Sequence, residues 1–442
     1  MSNANLFSRI VAMIGSIAIL KRQWGKETDE PVFGTEPVIP TAEPQKIPTL
    51  KMPTAYGWAD GNVPIAAKGL KVDEFAGELD HPRWVHVLPN NDVLVAEAME
   101  APLKVRSAFD YAMLSTMKRA SAMGKSANRI TLFRDSTGNG VFDTREIFLE
   151  NQNQPFGMAM LNNTFYVGNT DGVVAFAYEE NAIRITGEGK KLVDFKPGGH
   201  WTRSLLANQD GSKLYAGVGS KTNIADDGMD EEEGRAAIYE IDVKTGKARI
   251  FASGLRNAVG LAVEPNTNEL WTVVNERDGL GDEVPPDYLT SVQDGGFYGW
   301  PYCYWHQTVD DRVPQNSEMV AKAISPDYAL GGHTASLGLC WMPANTLPGF
   351  DVGGMVIGQH GSWNRSNLSG YKVVFVPFSN GKPDGPPRDI LSGFLSSDEK
   401  RSYGRPVGVA IGPNNCLLVV DDVGNVVWRV TAASTMTSAD IK

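Results

Sequence analysis

The stretch best equipped for chemistry is Gly199-His200-Trp201-Thr202-Arg203-Ser204-Leu205, which runs into the strand-like NQDGSKLYAGVGS. A histidine at the lip of a β-rich scaffold is a candidate base, provided its imidazole is oriented, close to neutral pKa and turned into a closed pocket. Arg203 beside it strengthens that reading over the plainer one of a satisfied structural histidine. Arg256 and Asn257, between two glycines in GLRNAVGL, offer a planar guanidinium fork and an amide. Such a pair can hold a planar polyanion through bidentate hydrogen bonds, or can simply pair with a carboxylate. Arg405 in YGRPVGV is a second cation, so a ligand with several carboxylates would suit both. His360, Trp363 and Arg365 stand among small residues in GQHGSWNRS, a context typical of a functional rim.

Two acidic stretches could serve a hard cation. Asn275, Glu276, Asp278, Asp282, Glu283 and Asp287 crowd a Gly/Pro-rich loop, a density of oxygens suited to calcium and equally to a solvated acidic loop. Asp135 to Glu146 (DSTGNGVFDTRE) has oxygen-bearing residues at EF-hand-like positions. No helical pair clearly flanks it, and a β-turn between strands is the simpler expectation.

These residues need a scaffold, and the sequence repeats one. Six units each run from a polar or Gly-containing start through a short apolar strand and a Pro/Asn/Asp/Gly turn into a second apolar strand. They begin at His81, Gln154, His200, Arg256, His333 and Gly404. Alternation such as Val407-Val409-Ile411, then Leu417-Val419, has the period of two that strands require. A small sheet of this kind can bury its faces only against its neighbours, so the fold class expected is all-β, a six-bladed β-propeller with short helical insertions and an extended N-terminal segment. Ring closure would bring His81, Gln154, His200, Arg256, His333 and Arg405 to one rim of a central tunnel. Within Lys104 to Lys125, Tyr111, Met113, Leu114 and Met117 recur at helical spacing, predicting a short amphipathic helix on a blade.

Composition points the same way. The 442 residues contain 46 Gly and 26 Pro, which favours short strands and tight turns. A formal net charge of −11 with no basic block argues against nucleic acid and anionic membrane as partners and leaves small molecules or proteins. Cys303, Cys340 and Cys416 have no metal-site spacing; buried free thiols or a single bridge would both fit. The apolar run Ile10 to Leu20, flanked by Arg9, Lys21 and Arg22, is too short to span a bilayer but suits a leader. The expected organisation is therefore a hydrophobic leader or anchor over 1–25 and a Pro-rich linker or surface strap over 26–60. The propeller would occupy 61–434, with a tail over 435–442.

The motifs SANRITLFRD, QPFGMAM, HWTRSLLANQDGSKLY, GLRNAVGLAVEP, LWTVVNERD, GGFYGWPYCYWHQ, GQHGSWNRS, GYKVVFVPF and GRPVGVAIGPNNCLLVVDDVGNVVWRV, spread over roughly residues 80 to 431, resemble the PQQ-dependent sugar dehydrogenase family, in its sorbosone dehydrogenase branch. That resemblance implies a six-bladed propeller with pyrroloquinoline quinone (PQQ) and calcium at the tunnel mouth, oxidising the anomeric or aldehydic carbon of a sugar. It implies His200 as catalytic base, with Arg203 beside it in the cofactor set. Arg256 and Asn257 would contact the quinone, Arg405 would hold a cofactor carboxylate, and Gln154 or else Gln152 would stand near substrate and quinone. The backbone carbonyls of Arg277 and Asp278 would ligate the cofactor calcium, and Glu283 a second, structural one. Ala258 stands where a proline is usual. The lysine that faces the quinone in related glucose enzymes has no in-phase counterpart, which leaves His360 or Arg365 to replace it. The aspartate that orients the base is likewise missing, since Ser220 follows the strand after His200.

The expected reaction is a hydride transfer from carbon to quinone as His200 takes the hydroxyl proton. Calcium would polarise the quinone, and an external quinone or cytochrome would accept the electrons. The implied location is periplasmic, with possible membrane association through the N-terminal segment. A calcium-dependent propeller hydrolase of the lactonase kind and a non-catalytic binding propeller are the competing classes.

Overall fold

The computed structural model describes residues 32–45, 49–59, 61–102, 105 and 108–433; the leader at 1–25 and the tail at 435–442 lie outside the described residues. Six antiparallel sheets follow one another along the chain. Blade 1 runs from Pro82–Val87 to Thr144–Leu149, blade 2 from Met158–Leu161 to Lys190–Asp194 and blade 3 from Leu205–Ala207 to Ala248–Ser253. Blade 4 runs from Ala258–Glu264 to Tyr328–Gly332 and blade 5 from Ser336–Met342 to Arg388–Ser392. Blade 6 takes Pro406–Ile411, Leu417–Asp421 and Val426–Ala432 from the C-terminal end. Its fourth strand is Leu70–Ala76, which pairs antiparallel with Val426–Ala432 and so closes the ring with an early segment of the chain.

Strand alternation sorts side chains between neighbouring blades rather than between core and water. All five residues of Leu417–Asp421 are buried. Leu417 and Val419 join a cluster with Val373 and Phe375 of blade 5, while Leu418 and Val420 join Val85, Val93 and Val95 of blade 1. A sheet covered on both faces needs apolar residues at successive positions, which is why these strands read as near-continuous hydrophobic runs.

The N-terminal strap covers exposed edges. Phe33–Gly34 extends blade 4, Ile65–Ala66 extends blade 5, and Thr54–Ala55 pairs parallel with Arg401–Ser402. Unpaired strand edges invite intermolecular pairing, and the strap removes two of them. It is pinned by Trp58, whose ring packs on Phe394 and Trp428 and whose Nε1 donates to Asp421 Oδ2 at 2.7 Å. The predicted helix forms over Ala108–Arg119, inserted between two strands of blade 1. All three cysteines are free. No helix among the described residues is long and apolar enough to cross a membrane.

Candidate active site at the tunnel mouth

The loops that lead into the blades converge on a cavity of about 560 Å³. Five of the six in-phase blade entries, His81, His200, Arg256, His333 and Arg405, line it, and the sixth, Gln154, does not. His81 and His333 adopt left-handed backbone with φ of 54° and 55°, and Gly199 supplies the same turn, φ 63°, ahead of His200. That conformation strains non-glycine residues, and it persists where surrounding structure dictates it.

His200 is fixed by its own blade. Its Nδ1 lies 2.8 Å from the Ser220 carbonyl and 3.2 Å from Ser220 Oγ, while that hydroxyl donates to Thr222 O. A carbonyl only accepts, so Nδ1 carries the proton and the Nε2 lone pair is left without a protein partner among the described residues. Burial, together with the charges of Arg256 and Arg203, pushes the imidazole down to about 3. It is therefore a neutral acceptor at physiological pH. The orienting group that the sequence lacked as an aspartate is a main-chain carbonyl.

The wall beside His200 comes from blades 3 to 5. Arg256 donates to the carbonyls of Asn223, Asn275 and Glu276 and to Asn223 Oδ1. Asn223 also accepts from the Asp278 amide and donates to the Asp278 carbonyl, so one side chain ties the guanidinium to the acidic loop. Asp278 Oδ1 receives Asn364 Nδ2 at 2.5 Å and lies 3.5 Å from His333 Nδ1. Burial opposes its ionisation, yet His333 and Arg256 hold it below the ordinary carboxylate value. His333, likewise opposed by burial, is raised by Asp278 and Asp287. Burial pushes Glu276 up to about 7 against the pull of Arg256. Asn257 Oδ1 is buried with no partner among the described residues.

The wall across the ring comes from blades 5, 6 and 1 and centres on Asp422, 1% exposed. His360 Nε2 donates to Asp422 Oδ2 at 2.8 Å, His81 Nε2 lies 3.5 Å from it, and Arg83 forms a close ion pair with it. Burial lowers His360 to about 3 and His81 to about 4. Arg405 donates to the carbonyls of His360 and Gly361, and its Nη1 has no partner among the described residues.

Not every expected residue reaches the cavity. Arg203 is fully buried behind His200 and donates to the carbonyls of His200, Thr202 and Lys196, which makes it a positioning residue for that loop. Gln154, with φ 51°, donates to the Met99 carbonyl and is not part of the lining, and Gln152 instead accepts from Asn169. Arg365 and Glu283 pair with each other outside the lining. The Arg277 side chain is buried against Asp310. Its carbonyl accepts no hydrogen bond among the described residues, whereas that of Asp278 already accepts Asn223 Nδ2. In the Asp135 loop the carboxylate accepts the amides of Thr137, Gly138, Asn139 and Gly140, the β-turn form of that segment. Among the described residues no group of three or more His, Cys, Asp or Glu side chains is arranged to hold a metal.

Sequence reasoning missed several lining residues. Lys221, next to Ser220, brings a lysine into the cavity from outside the phase of the blade starts; it lies 2.8 Å from Glu231. Asn223, Glu100 and Asp422 were also missed. Only Asp422 carried a signal, the acidic doublet that ends a blade-6 strand in LVVDDVGN. Met52 and Pro53 of the strap and Met117 and Ala120 of the insertion complete the rim.

The molecule is thus a six-bladed β-propeller whose tunnel mouth holds a cavity lined by histidine and arginine. The chain belongs to the TrAA12-like family, whose model matches residues 64–433. A PQQ-dependent pyranose dehydrogenase of Coprinopsis cinerea is 27% identical over 221 residues, covering 40% of this chain and 30% of that protein, so the chain spans under a third of that relative's length. The holo form of the pyranose dehydrogenase PQQ domain from Coprinopsis cinerea superposes with a TM-score of 0.66 at 19% identity, covering 86% of this chain and 100% of that one. The iodide structure of the Trichoderma reesei family AA12 enzyme gives 0.67 at 18% identity, covering 84% and 98%. At such identities the two structures bear on the fold alone.

Proposed function

We propose that the protein is a PQQ-dependent dehydrogenase of a sugar, with a sorbosone-like aldehydic sugar or an aldose as substrate. The observation that carries this reading is His200, whose Nδ1 is committed to Ser220 while its Nε2 lone pair is left free at the cavity that Arg256 and Arg405 line. The residues present suit PQQ. The orphaned Asn257 Oδ1, the free Nη1 of Arg405 and the Arg256 guanidinium offer polar and cationic contacts to a planar, multiply carboxylated ring system. Lys221 and His360 are the further candidates for that contact. Calcium would draw on the Arg277 carbonyl and the Asp278 region, Asp278 being held ionised. When bound, PQQ supplies the two-electron acceptor for the hydride.

The chain's own residues do the rest. His200 Nε2 accepts the hydroxyl proton as the carbon is oxidised, and Ser220 keeps the imidazole in the tautomer that makes this possible. Arg203, tethered to three carbonyls, keeps the Lys196 to His200 loop in place. The buried cations stabilise negative charge developing in the cavity. Electrons leave to an external quinone or cytochrome, and the apolar run from Ile10 to Leu20 supports export to the periplasm.

The test is to incubate the protein with PQQ and calcium and follow dye reduction with a panel of aldoses and aldehydes. Absence of both dye reduction and quinone binding would overturn the dehydrogenase reading. His200→Ala should retain PQQ binding and lose about 10²- to 10⁴-fold in kcat; full turnover would remove His200 as the base.

A further inference from the structure

One carboxyl in the cavity has no task in the proposed chemistry. Glu100 follows the blade-1 strand Val93–Glu97 and opens the insertion that carries the helix Ala108–Arg119. Its main chain is fixed, since its carbonyl accepts the Gly124 amide and it bridges in parallel to Met123, so both ends of the insertion are tied together at this residue. Its side chain lines the cavity, yet neither carboxyl oxygen has a hydrogen-bond partner among the described residues. Asp278, Asp287 and Asp422 all have such partners. A cavity-facing carboxyl with no hydrogen bond from the protein is available to a ligand that fills the cavity.

Its position says which ligand. In a ring of six, blade 1 faces blade 4, so Glu100 stands across the cavity from Arg256 and Asp278. Those groups, with Asn257, offer cofactor contacts on that side, while Arg405 and His360 offer theirs from blades 6 and 5. Met117, Ala120 and Ala122 of the insertion, whose end bridges to Glu100 through Met123, also line the cavity. A second polyanion would not settle beside an unpaired carboxyl. A polyhydroxylated neutral molecule would, because hydroxyls donate to carboxyl oxygens and C–H faces pack on methionine and alanine. Burial raises Glu100 to about 7, with Arg83 opposing, so the group can accept from a hydroxyl or donate to one near neutral pH.

We propose that Glu100 is a specificity-determining residue that hydrogen-bonds a hydroxyl of a neutral sugar, across the cavity from Arg256 and Asn257, with the insertion framing the subsite. This rests on the dehydrogenase reading of the same cavity. Glu100→Gln keeps the shape and removes the charge.

Three measurements test it. With PQQ and calcium bound, Glu100→Gln should raise KM for aldoses about tenfold while kcat changes less, and Glu100→Ala should raise it further. PQQ affinity, read from the cofactor's absorbance, should stay within about twofold of the wild type, since Glu100 is not among the residues assigned to the cofactor. Calorimetry with 1,5-anhydroglucitol and 1,5-anhydrogalactitol, which lack an oxidisable anomeric hydroxyl, should show weaker binding to the variant. An unchanged KM for every aldose turned over would overturn the proposal, as would a fall in PQQ affinity that tracks the loss of activity, which would make Glu100 a cofactor contact. Failure of the wild type to bind PQQ would overturn the dehydrogenase reading instead. The calorimetric comparison then judges Glu100 alone, and binding that is equal in both proteins, or undetectable in the wild type, removes it from a sugar subsite.

Discussion

Replacing Asp422 by asparagine should unfasten the ring at its closing seam. Asp422 follows a blade-6 strand, and its partners Arg83 and His81 belong to blade 1, 339 residues away in the case of Arg83. Blade 5 joins through His360. Burial alone would raise the carboxyl, but His360, His81 and Arg83 hold it far below the carboxylate range. The new amide could still accept one hydrogen bond, but Arg83, buried and with Nε already unsatisfied, would lose its counter-charge. Breaking a buried pair in this way costs about 3 kcal/mol or more, a large share of the roughly 5–15 kcal/mol by which domains are stable. The sign with pH follows from linkage. A carboxyl whose folded pKa is depressed stabilises the fold above its unfolded value of about 3.9, and that contribution is lost as pH falls further. Urea midpoints for wild type and Asp422→Asn should therefore differ by a constant amount between about pH 5 and 8, and the gap should narrow below about pH 4. A difference under about 1 kcal/mol near neutral pH, or a gap that widens in acid, would refute this account of the seam.

Three further outcomes follow from the geometry. A Cβ at Gly219 would stand 2.7 Å from His200 Cβ and closer still to Asn257 Oδ1. Gly219→Ala should therefore cost about 1–3 kcal/mol in stability and at least about tenfold in kcat/KM, measured by urea unfolding and dye reduction. Because burial holds His200 near 3, it stays a free base above that value and is protonated only as pH falls through it; kcat/KM should accordingly show no acid limb near the ordinary histidine value of about 6.5. Arg365→Ala should strip Glu283 of its partner and lower stability by about 1–3 kcal/mol, while PQQ affinity, titrated optically, stays within about twofold.

Much of this molecule was legible along the chain. Six strand-turn-strand units with polar leading residues can be read from alternation and turn chemistry, since both are local properties of sequence. Their phase brought His81, His200, Arg256, His333 and Arg405 to one cavity, because the blades repeat the same connection to the ring, but not Gln154, whose amide turns to the Met99 carbonyl. Arg365 and Glu283 were placed by long-range contacts instead. Context suggested a functional rim for Arg365 and the resemblance a structural calcium for Glu283, whereas the two pair with each other across an 82-residue separation that no local pattern reveals.

The elements and the candidate base follow from the order of residues alone, because periodicity and turn chemistry act over a few positions. How the base and its surroundings are held belongs to the assembled ring. The Ser220 carbonyl that fixes the His200 tautomer is a main-chain atom with no residue-type signature. Asn223 joins Arg256 to Asp278 from 55 residues before that aspartate, and Asp422 meets blade 1 only because the ring closes. Glu100 faces the cavity only because an insertion folds back over it. Burial and long-range charge set the proton affinities of these groups, and neither exists until distant segments of the chain have come together.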